Sequence, residues 1–335
     1  MVTLKDIASI AGVNKSTVSR ALDGSPGVSE EKREQILKIA DELGYVPDET
    51  ARMLAGKNGR SIGIVIPEID CNYYASVVGT IEKMLKEKGY SIIIGQSGFE
   101  FQNELHYLNL FIRKKVSGII FNLYNTETFM EQYEKIKKII KIPIVFIETS
   151  LSLNEYDVIE IDNNYGVGIA VEHLVRTGCK RIGFISEYLS SKIRLPAFEK
   201  ALRNSGIPVD RNLIKIGKER LEEGGYLRMN ELIAQGSLPD AVFASYDTMA
   251  LGAMKAMAEH GILSPRDVSI VGFDNVRESS YFAVPLTTVS PPVMEMSGAA
   301  VKILLEKIEN KEKAFVQHIS LRPKLVERSS TRSLL

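Results

Sequence analysis

From residue 61 onward the sequence alternates short apolar runs with amphipathic stretches, and it does so twice. The first runs are Ile62–Ile66, Ser91–Gly95, Gly118–Leu123, Ile142–Ile147 and Val158–Ile161; the second set is Arg181–Ser186, Leu213–Ile216, Ala241–Ser245 and Ser269–Phe273. Each is nearly continuous in Ile, Val and Phe, as strands buried on both faces are. Helical periodicity fills the gaps at Tyr73–Lys88, Asn103–Lys114, Thr126–Ile140, Gly166–Thr177, Leu195–Ser205, Glu222–Ala234, Thr248–His260 and Met294–Asn310. Strands separated by helices pair in parallel. There are too many runs for one comfortable sheet, and the pattern restarts near residue 162. An α/β body of two similar lobes is therefore expected, with ligands held at the carboxyl ends of the strands.

Residues 1–46 carry three short helical patterns and no strand pattern. Thr3 caps the first, which places Leu4, Ile7, Ala8 and Ala11 on one face before Gly12 breaks it. Asn14 caps the second, Lys15–Leu22, whose apolar positions are Val18, Ala21 and Leu22. The third follows Ser29, with a seam of Ile36, Leu37, Ile39, Ala40 and Leu43, and Gly44 ends it. Two helices joined through a tight glycine turn and closed by a third are the helix-turn-helix arrangement. The second helix is short of large apolar residues and rich in Lys15, Ser16, Thr17, Ser19 and Arg20, groups that reach phosphates and base edges. A three-helix packing module with a solvated second helix fits the same pattern.

Charge neither supports nor excludes a nucleic-acid partner. Lys+Arg and Asp+Glu are both 42 in the 335 residues, and residues 1–60 hold nine of each sign. The acids concentrate in the third helix and just after it, while the second helix and residues 52–60 are basic. Between the units, Tyr45–Gly56 reads as a short helix: Pro47 halts the helix before it, Asp48 caps it and Gly56 ends it, with a polar linker after it. Two turns are marginal in isolation, so this segment should need a partner to order it.

Enzyme motifs are not found. Gly166-Val167-Gly168 is only a G-x-G, Gly56-Lys57 lacks a phosphate-loop context, and there is no H-E-x-x-H or G-x-S-x-G. Cys71 and Cys179 alone make neither a disulfide scaffold nor a four-cysteine zinc site. His106, His173, His260 and His318 are scattered, so no metal or cofactor is expected. No apolar run approaches about 18 residues, and Lys5 and Asp6 interrupt any leader-like core, so we expect a cytoplasmic protein without a membrane partner.

A longer set of residues resembles the lactose-repressor (LacI/GalR) family. In the front unit these are Val2-Thr3-Leu4-Lys5-Asp6-Ile7-Ala8, Ala11-Gly12-Val13 and Ser16-Thr17-Val18-Ser19-Arg20-Ala21-Leu22. Gly44-Tyr45-Val46-Pro47 and Ala51-Arg52-Met53-Leu54 resemble that family's hinge. Ile161-Asp162-Asn163, Asp247–Ala253, Val268–Asp274 and Pro285–Val289 continue the match through the body. The resemblance implies a helix-turn-helix headpiece (1–46), a hinge helix and linker (47–60), and a two-lobed periplasmic-binding-protein-like body with parallel sheets. The N-terminal lobe would take 61–161 with 291–320, and the C-terminal lobe 162–290 with 321–330. It further implies a transcriptional regulator, most often a repressor. Such a protein binds a pseudo-palindromic double-stranded operator as a homodimer and is controlled by a small molecule, a sugar or sugar derivative, in the interlobe cleft. A solute-binding protein without DNA function and a nicotinamide-dependent enzyme are the alternatives from other classes.

The same resemblance distributes roles. Lys15, Ser16 and Arg20 would read base edges, Arg20 that of a guanine. Thr3, Thr17, Ser19, Ser29 and Tyr45 would hold phosphates. Ala51 and Leu54 belong to the hinge, with Leu54 as a minor-groove wedge, a packing residue against the partner's hinge, or both. Asp48 departs from the family's usual Asn. In the cleft, Arg194 and Asp274 align with the effector-binding arginine and acid, while an interlobe salt bridge is the plain structural reading of the same pair. Tyr73 and Tyr74 would stack on a ring or cover the cleft floor. Glu148 stands where an Asp is frequent, Tyr246 where a polar residue is, and Arg220 where sugar-binding members place an aromatic. Lys192, Arg194 and Arg220 together predict a basic pocket suited to an effector with an acidic group or phosphate.

Overall fold

A computed structural model describes residues 2–45, 60–123, 131, 142–148, 156–309 and 315–333. The hinge expected at 47–60, with Asp48, Ala51 and Leu54, and the helix expected at Thr126–Ile140 lie outside these residues, apart from Arg60 and Glu131. Two units are present, divided between Gly59 and Arg60.

Among its described residues the front unit is all helix: α1 (Leu4–Ala11), α2 (Lys15–Leu22) and α3 (Glu30–Glu42). Thr3 donates its backbone N–H (2.7 Å) and its hydroxyl (2.8 Å) to the Asp6 carboxylate, which fastens the start of α1. Gly12 follows α1 at φ 64, a left-handed turn that a side chain would resist, and this lets the chain reverse into α2. Ile7, Val18 and Ile36, one from each helix, are fully buried at the centre.

The body begins with β1 (Ser61–Ile66), α4 (Asn72–Glu87), β2 (Ser91–Gln96), α5 (Phe101–Arg113), β3 (Gly118–Asn122), β4 (Ile144–Ile147) and β5 (Asp157–Ile161). It continues with α6 (Asn163–Arg176), β6 (Ile182–Glu187), α7 (Tyr188–Asn204), β7 (Ile214–Gly217), α8 (Leu221–Ala234), β8 (Ala241–Ala244), α9 (Asp247–Glu259) and β9 (Ser269–Phe273). β10 (Thr287–Ser290), α10 (Val293–Glu309), β11 (His318–Leu321) and β12 (Lys324–Val326) complete it. Two six-stranded sheets result, ordered β11-β5-β4-β3-β1-β2 and β12-β10-β9-β8-β6-β7. Every neighbouring pair is parallel except β10 and β12. Among the described residues no helix is long and apolar enough to cross a membrane.

The chain passes between the sheets after β5, after β10 and between β11 and β12. All three passages lie toward the β11/β5 edge of the first sheet and the β12/β10 edge of the second. Residues 290–333 therefore serve both lobes: α10 packs on α4 beside the first sheet, and β12 extends the second. β10, β11 and β12 are strands that the apolar pattern does not show. Thr287–Ser290 is polar yet wholly buried, and the other two are short edge strands. In the second lobe α8 and α9 meet through glycine: a Cβ on Gly252 would stand 1.8 Å from the Glu222 carbonyl oxygen.

One helix differs from its expected extent, with consequences for the cleft. The pattern places its start at Leu195, next to Pro196, where proline is best tolerated. The helix instead begins at Tyr188 and carries Pro196 inside it. The buried Glu187 carboxylate at the end of β6 accepts the amides of Leu189 (2.5 Å) and Ser190 (2.7 Å), satisfying first-turn donors that would otherwise be orphaned. This extra length carries Ser190, Ile193 and Arg194 to the strand ends.

Candidate DNA-binding and effector sites

On the front unit, α2 buries Val18 and Ala21 and leaves Lys15, Ser16 and Arg20 exposed, with Thr17 and Ser19 half-buried beside them. Asn14 organises its start: its Oδ1 accepts the Thr17 amide (2.8 Å), the Ser16 hydroxyl (2.6 Å) and the Thr17 hydroxyl (2.9 Å). Lys15 and Arg20 form no hydrogen bond or ion pair among the described residues, so both cations are available on the outer face. Thr3 and Ser29 are exposed at the N-caps of α1 and α3, and Tyr45 is half-buried just past α3. Asn14→Ala should loosen α2 by about 1 kcal/mol, the usual loss for an N-cap. Hydrogen exchange of the α2 amides in the full-length chain reads this directly, and unchanged protection would contradict the capping role.

In the body, side chains gather at the carboxyl ends of the strands of both sheets. Among the described residues, five non-glycines there hold positive φ: Phe99 after β2, Glu148 after β4, Leu221 after β7, and Asp274 (φ 104) and Asn275 after β9. Such backbone costs of order 1–3 kcal/mol per residue and collects where a site is held in a set geometry.

Glu148 is the first focus. The Tyr73 hydroxyl donates to its Oε1 at 2.5 Å and Asn122, at the end of β3, donates to its Oε2 at 2.8 Å. Burial raises its carboxyl above the ordinary range, against the pull of Tyr73, Arg194 and Asn122. Arg194 is the second focus. Its Nε donates to Asn163 Oδ1 (3.2 Å), its Nη1 donates to the Ser245 carbonyl, and its Nη2 stands 3.7 Å from Asp274 Oδ1. The guanidinium lies 3.7 Å from the centre of the Phe273 ring. Burial pushes the Asp274 carboxyl well up; Arg194 opposes this, and the nearby Asp247 and Glu148 add to it.

The turn that carries Asp274 is tied from behind by Asp247. This fully buried acid accepts the Val276 amide (2.9 Å) and the Thr288 hydroxyl (2.5 Å). Gly272 makes the room, since a Cβ there would meet Asp247 Oδ1 at 2.3 Å. Burial lifts Asp247 from 3.8 to about 7. Its proton is held longer by the folded chain than by the unfolded one. Folded stability is therefore fullest below pH 3.8 for this group and is lost as pH rises toward about 7. Asp247→Asn should flatten that part of a stability–pH curve from urea titrations; an unaltered slope contradicts the assignment.

The expected effector residues divide between two cavities and the cleft's far edge. Tyr74, Glu148 and Arg194 line a chamber of about 260 Å³ together with Asn122, Asn163 and Ser190. Tyr73 and Asp274 line a neighbouring cavity of about 720 Å³ beside the passages between lobes, with Ser290 and Val293. Tyr73 and Tyr74 themselves meet edge to face, centroids 5.5 Å apart. Arg220, after β7, and Tyr246, after β8, are in neither lining. Arg220 donates to Glu68 Oε1 (2.9 Å), pairs with Glu187 Oε1 (3.2 Å) and lies 4.2 Å over the Phe99 ring. The Tyr246 hydroxyl accepts the Leu221 amide at 3.0 Å.

Two expectations need correction. Lys192 is exposed and lines neither cavity, because the turn of α7 that points Ser190, Ile193 and Arg194 inward leaves residue 192 on the outer side. Nor do the described residues make the pocket basic. Arg194 and Arg220 already face carboxylates, those of Asp274, Glu68 and Glu187, while Glu148, Glu160 and Asp162 line the chamber as well. Counting basic residues near the cleft overlooks the acids that the fold folds in beside them. Asn122, Asn163, Glu68, Glu187, Phe99 and Ser190 are site residues absent from the expected set. Asp162-Asn163 and Asp247 belong to the family-like segments of the sequence, whereas nothing in it marks Glu68 or Phe99.

Known proteins carry both halves of this arrangement. A family model described as bacterial regulatory proteins, lacI family, matches residues 3–48, and one described as a periplasmic binding protein-like domain matches residues 171–331. The chain is 31% identical over 340 residues to the HTH-type transcriptional repressor PurR of Haemophilus influenzae (strain PittEE), covering 100% of both. It is similar to the structure of a lac repressor dimer bound to operator and the anti-inducer ONPF, at 27% identity and TM-score 0.84 over 99% of each chain. It also resembles the transcriptional regulator CelR in its cellobiose complex, at 27% identity and TM-score 0.71 over 98% of this chain and 100% of that one.

Proposed function

The chain belongs to the LacI family of bacterial regulatory proteins and is a DNA-binding transcriptional repressor rather than an enzyme; from that premise we propose that a sugar or sugar derivative in the interlobe cleft controls its hold on a pseudo-palindromic operator, which it grips as a homodimer in the cytoplasm. The observation that carries the effector reading is the chamber of about 260 Å³ where Arg194, Glu148, Asn122 and Asn163 converge at the strand ends. Guanidinium, amide and carboxyl groups together offer the donors and acceptors that a polyol needs. Because both arginines are already matched by acids, a neutral polyol suits the chamber better than an acid or phosphate.

In this account Lys15, Ser16 and Arg20 read base edges, and Thr3, Thr17, Ser19, Ser29 and Tyr45 hold phosphates. Ala51 and Leu54 lie in a hinge segment (47–60) that packs into the minor groove, with 1–46 as headpiece. The body lobes are 61–161 with 291–320, and 162–290 with 321–330. Effector binding alters lobe closure, and closure alters how the paired hinges sit on the operator; the coupling is the effector's differential affinity for the two body states.

A thermal-shift panel of neutral sugars, uronic acids and sugar phosphates on the full-length protein tests the effector class. A gel shift with the protein's own upstream DNA, with and without each hit, tests the control. Neutral sugars should raise the melting temperature and change the shift. Stabilisation by phosphates or uronates alone would overturn the neutral-polyol reading, and no stabilisation by any member would overturn the sugar reading.

A further inference from the structure

We propose that Arg220 is an interlobe positioning residue, a cationic latch that sets how far the cleft stands open before any effector binds. The topology locates it. The three passages between lobes lie at one edge of the paired sheets, toward β11/β5 and β12/β10. Arg220 follows β7 and Glu187 ends β6, at the opposite edge of the second sheet; Glu68 follows β1 and Phe99 follows β2, at the opposite edge of the first. The latch therefore spans the mouth farthest from the passages, where a given force has most leverage on opening.

Its chemistry suits the role. One guanidinium faces a carboxylate from each lobe: its Nη2 hydrogen-bonds Glu68 at 2.9 Å, its Nη1 stands 3.2 Å from Glu187 as a charge contact, and its face rests on Phe99 of the first lobe at 4.2 Å. Both acids are mostly or wholly buried, with side chains 15% and 2% exposed, so the two charges are poorly screened. Among the described residues no other ion pair joins a strand-end loop of the first sheet to one of the second. Arg220 is itself held in place: the next residue, Leu221, has φ 51, and its amide donates to the buried Tyr246 hydroxyl. A residue whose neighbour is kept in strained backbone and pinned from behind has its reach across the cleft determined in advance.

Removing the cation does more than delete a bond. It leaves Glu68 and Glu187 facing each other across the mouth with nothing between them, so Arg220→Gln should push the lobes apart. Glu68→Gln should open them less, since it removes the interlobe pair without leaving two carboxylates facing each other. Adding Glu68→Gln to Arg220→Gln should shorten the distance again, because the repulsion is gone.

The test is an interlobe distance in the full-length chain, from spin labels on Gln102→Cys (α5) and Glu223→Cys (α8), both exposed, with labelled protein diluted into unlabelled. Cys71 and Cys179 are buried and stay out of the labelling. The parent should give one short distance; Arg220→Gln should add a longer population that shrinks in the double variant. An unchanged distribution in Arg220→Gln, or a double variant more open than the single, overturns the latch. Should Arg220→Gln fail to fold, Glu68→Lys sets a cation against Arg220 and must open the cleft; an unchanged distance there overturns the proposal equally.

Discussion

Arg194→Ala should abolish the effector response: a sugar that raises the parent's melting temperature should leave the variant's unmoved. Arg194 holds the centre of the site by several bonds at once, to Asn163, to the Ser245 carbonyl and across 3.7 Å to Asp274, with Phe273 beneath it. Without it, Asp274 is left among Asp247 and Glu148 with its nearest cation gone. Breaking a buried pair from one side costs about 3–5 kcal/mol, and the effector loses a forked donor in addition. Arg194→Lys keeps the charge but not the fork, so it should recover stability better than it recovers effector binding. Effector-free operator affinity should change far less than effector affinity; equal losses of both would mean that the variant simply unfolds.

Arg20→Ala should weaken operator binding by about 1–3 kcal/mol and relax the preference at a single base position. Arg20 is exposed on α2 and forms no bond to its own unit among the described residues, so its removal leaves the packing of Val18 and Ala21 untouched. The loss should appear as a fall in discrimination between operators altered one base at a time. A uniform loss across all those operators would assign Arg20 to a phosphate instead.

The parts of the fold that burial dictates were readable in advance. β1, β3, β6 and β9 announce themselves as Ile-, Val- and Phe-rich runs, and Asp274 follows the last of these at a strand end, where ligands gather. Val18 and Ala21 facing inward and Lys15, Ser16 and Arg20 facing outward follow from helical spacing alone. What stayed hidden depends on partners distant in sequence. Thr287–Ser290 is polar, and only Asp247, Ser330 and Thr331 packed around it make it a buried strand. The start of α7 at Tyr188 depends on Glu187 turning its carboxylate back onto the Leu189 and Ser190 amides. Arg220 reads as spare positive charge until the fold brings up Glu68, 152 residues away. Electrostatic character was thus the least legible property, because it depends on pairings, and pairings are a property of the closed chain.

The proposed control requires effector and operator to be linked through the body. Linkage is reciprocal: if a sugar changes operator affinity by some factor, the operator changes sugar affinity by the same factor. Both can be measured on the full-length protein, operator affinity by fluorescence anisotropy at saturating and zero sugar, and sugar affinity by calorimetry with and without saturating operator, at one fixed salt concentration. Two matching factors are expected, about 5–150-fold. A sugar that binds the cleft yet leaves operator affinity unchanged would contradict the linkage.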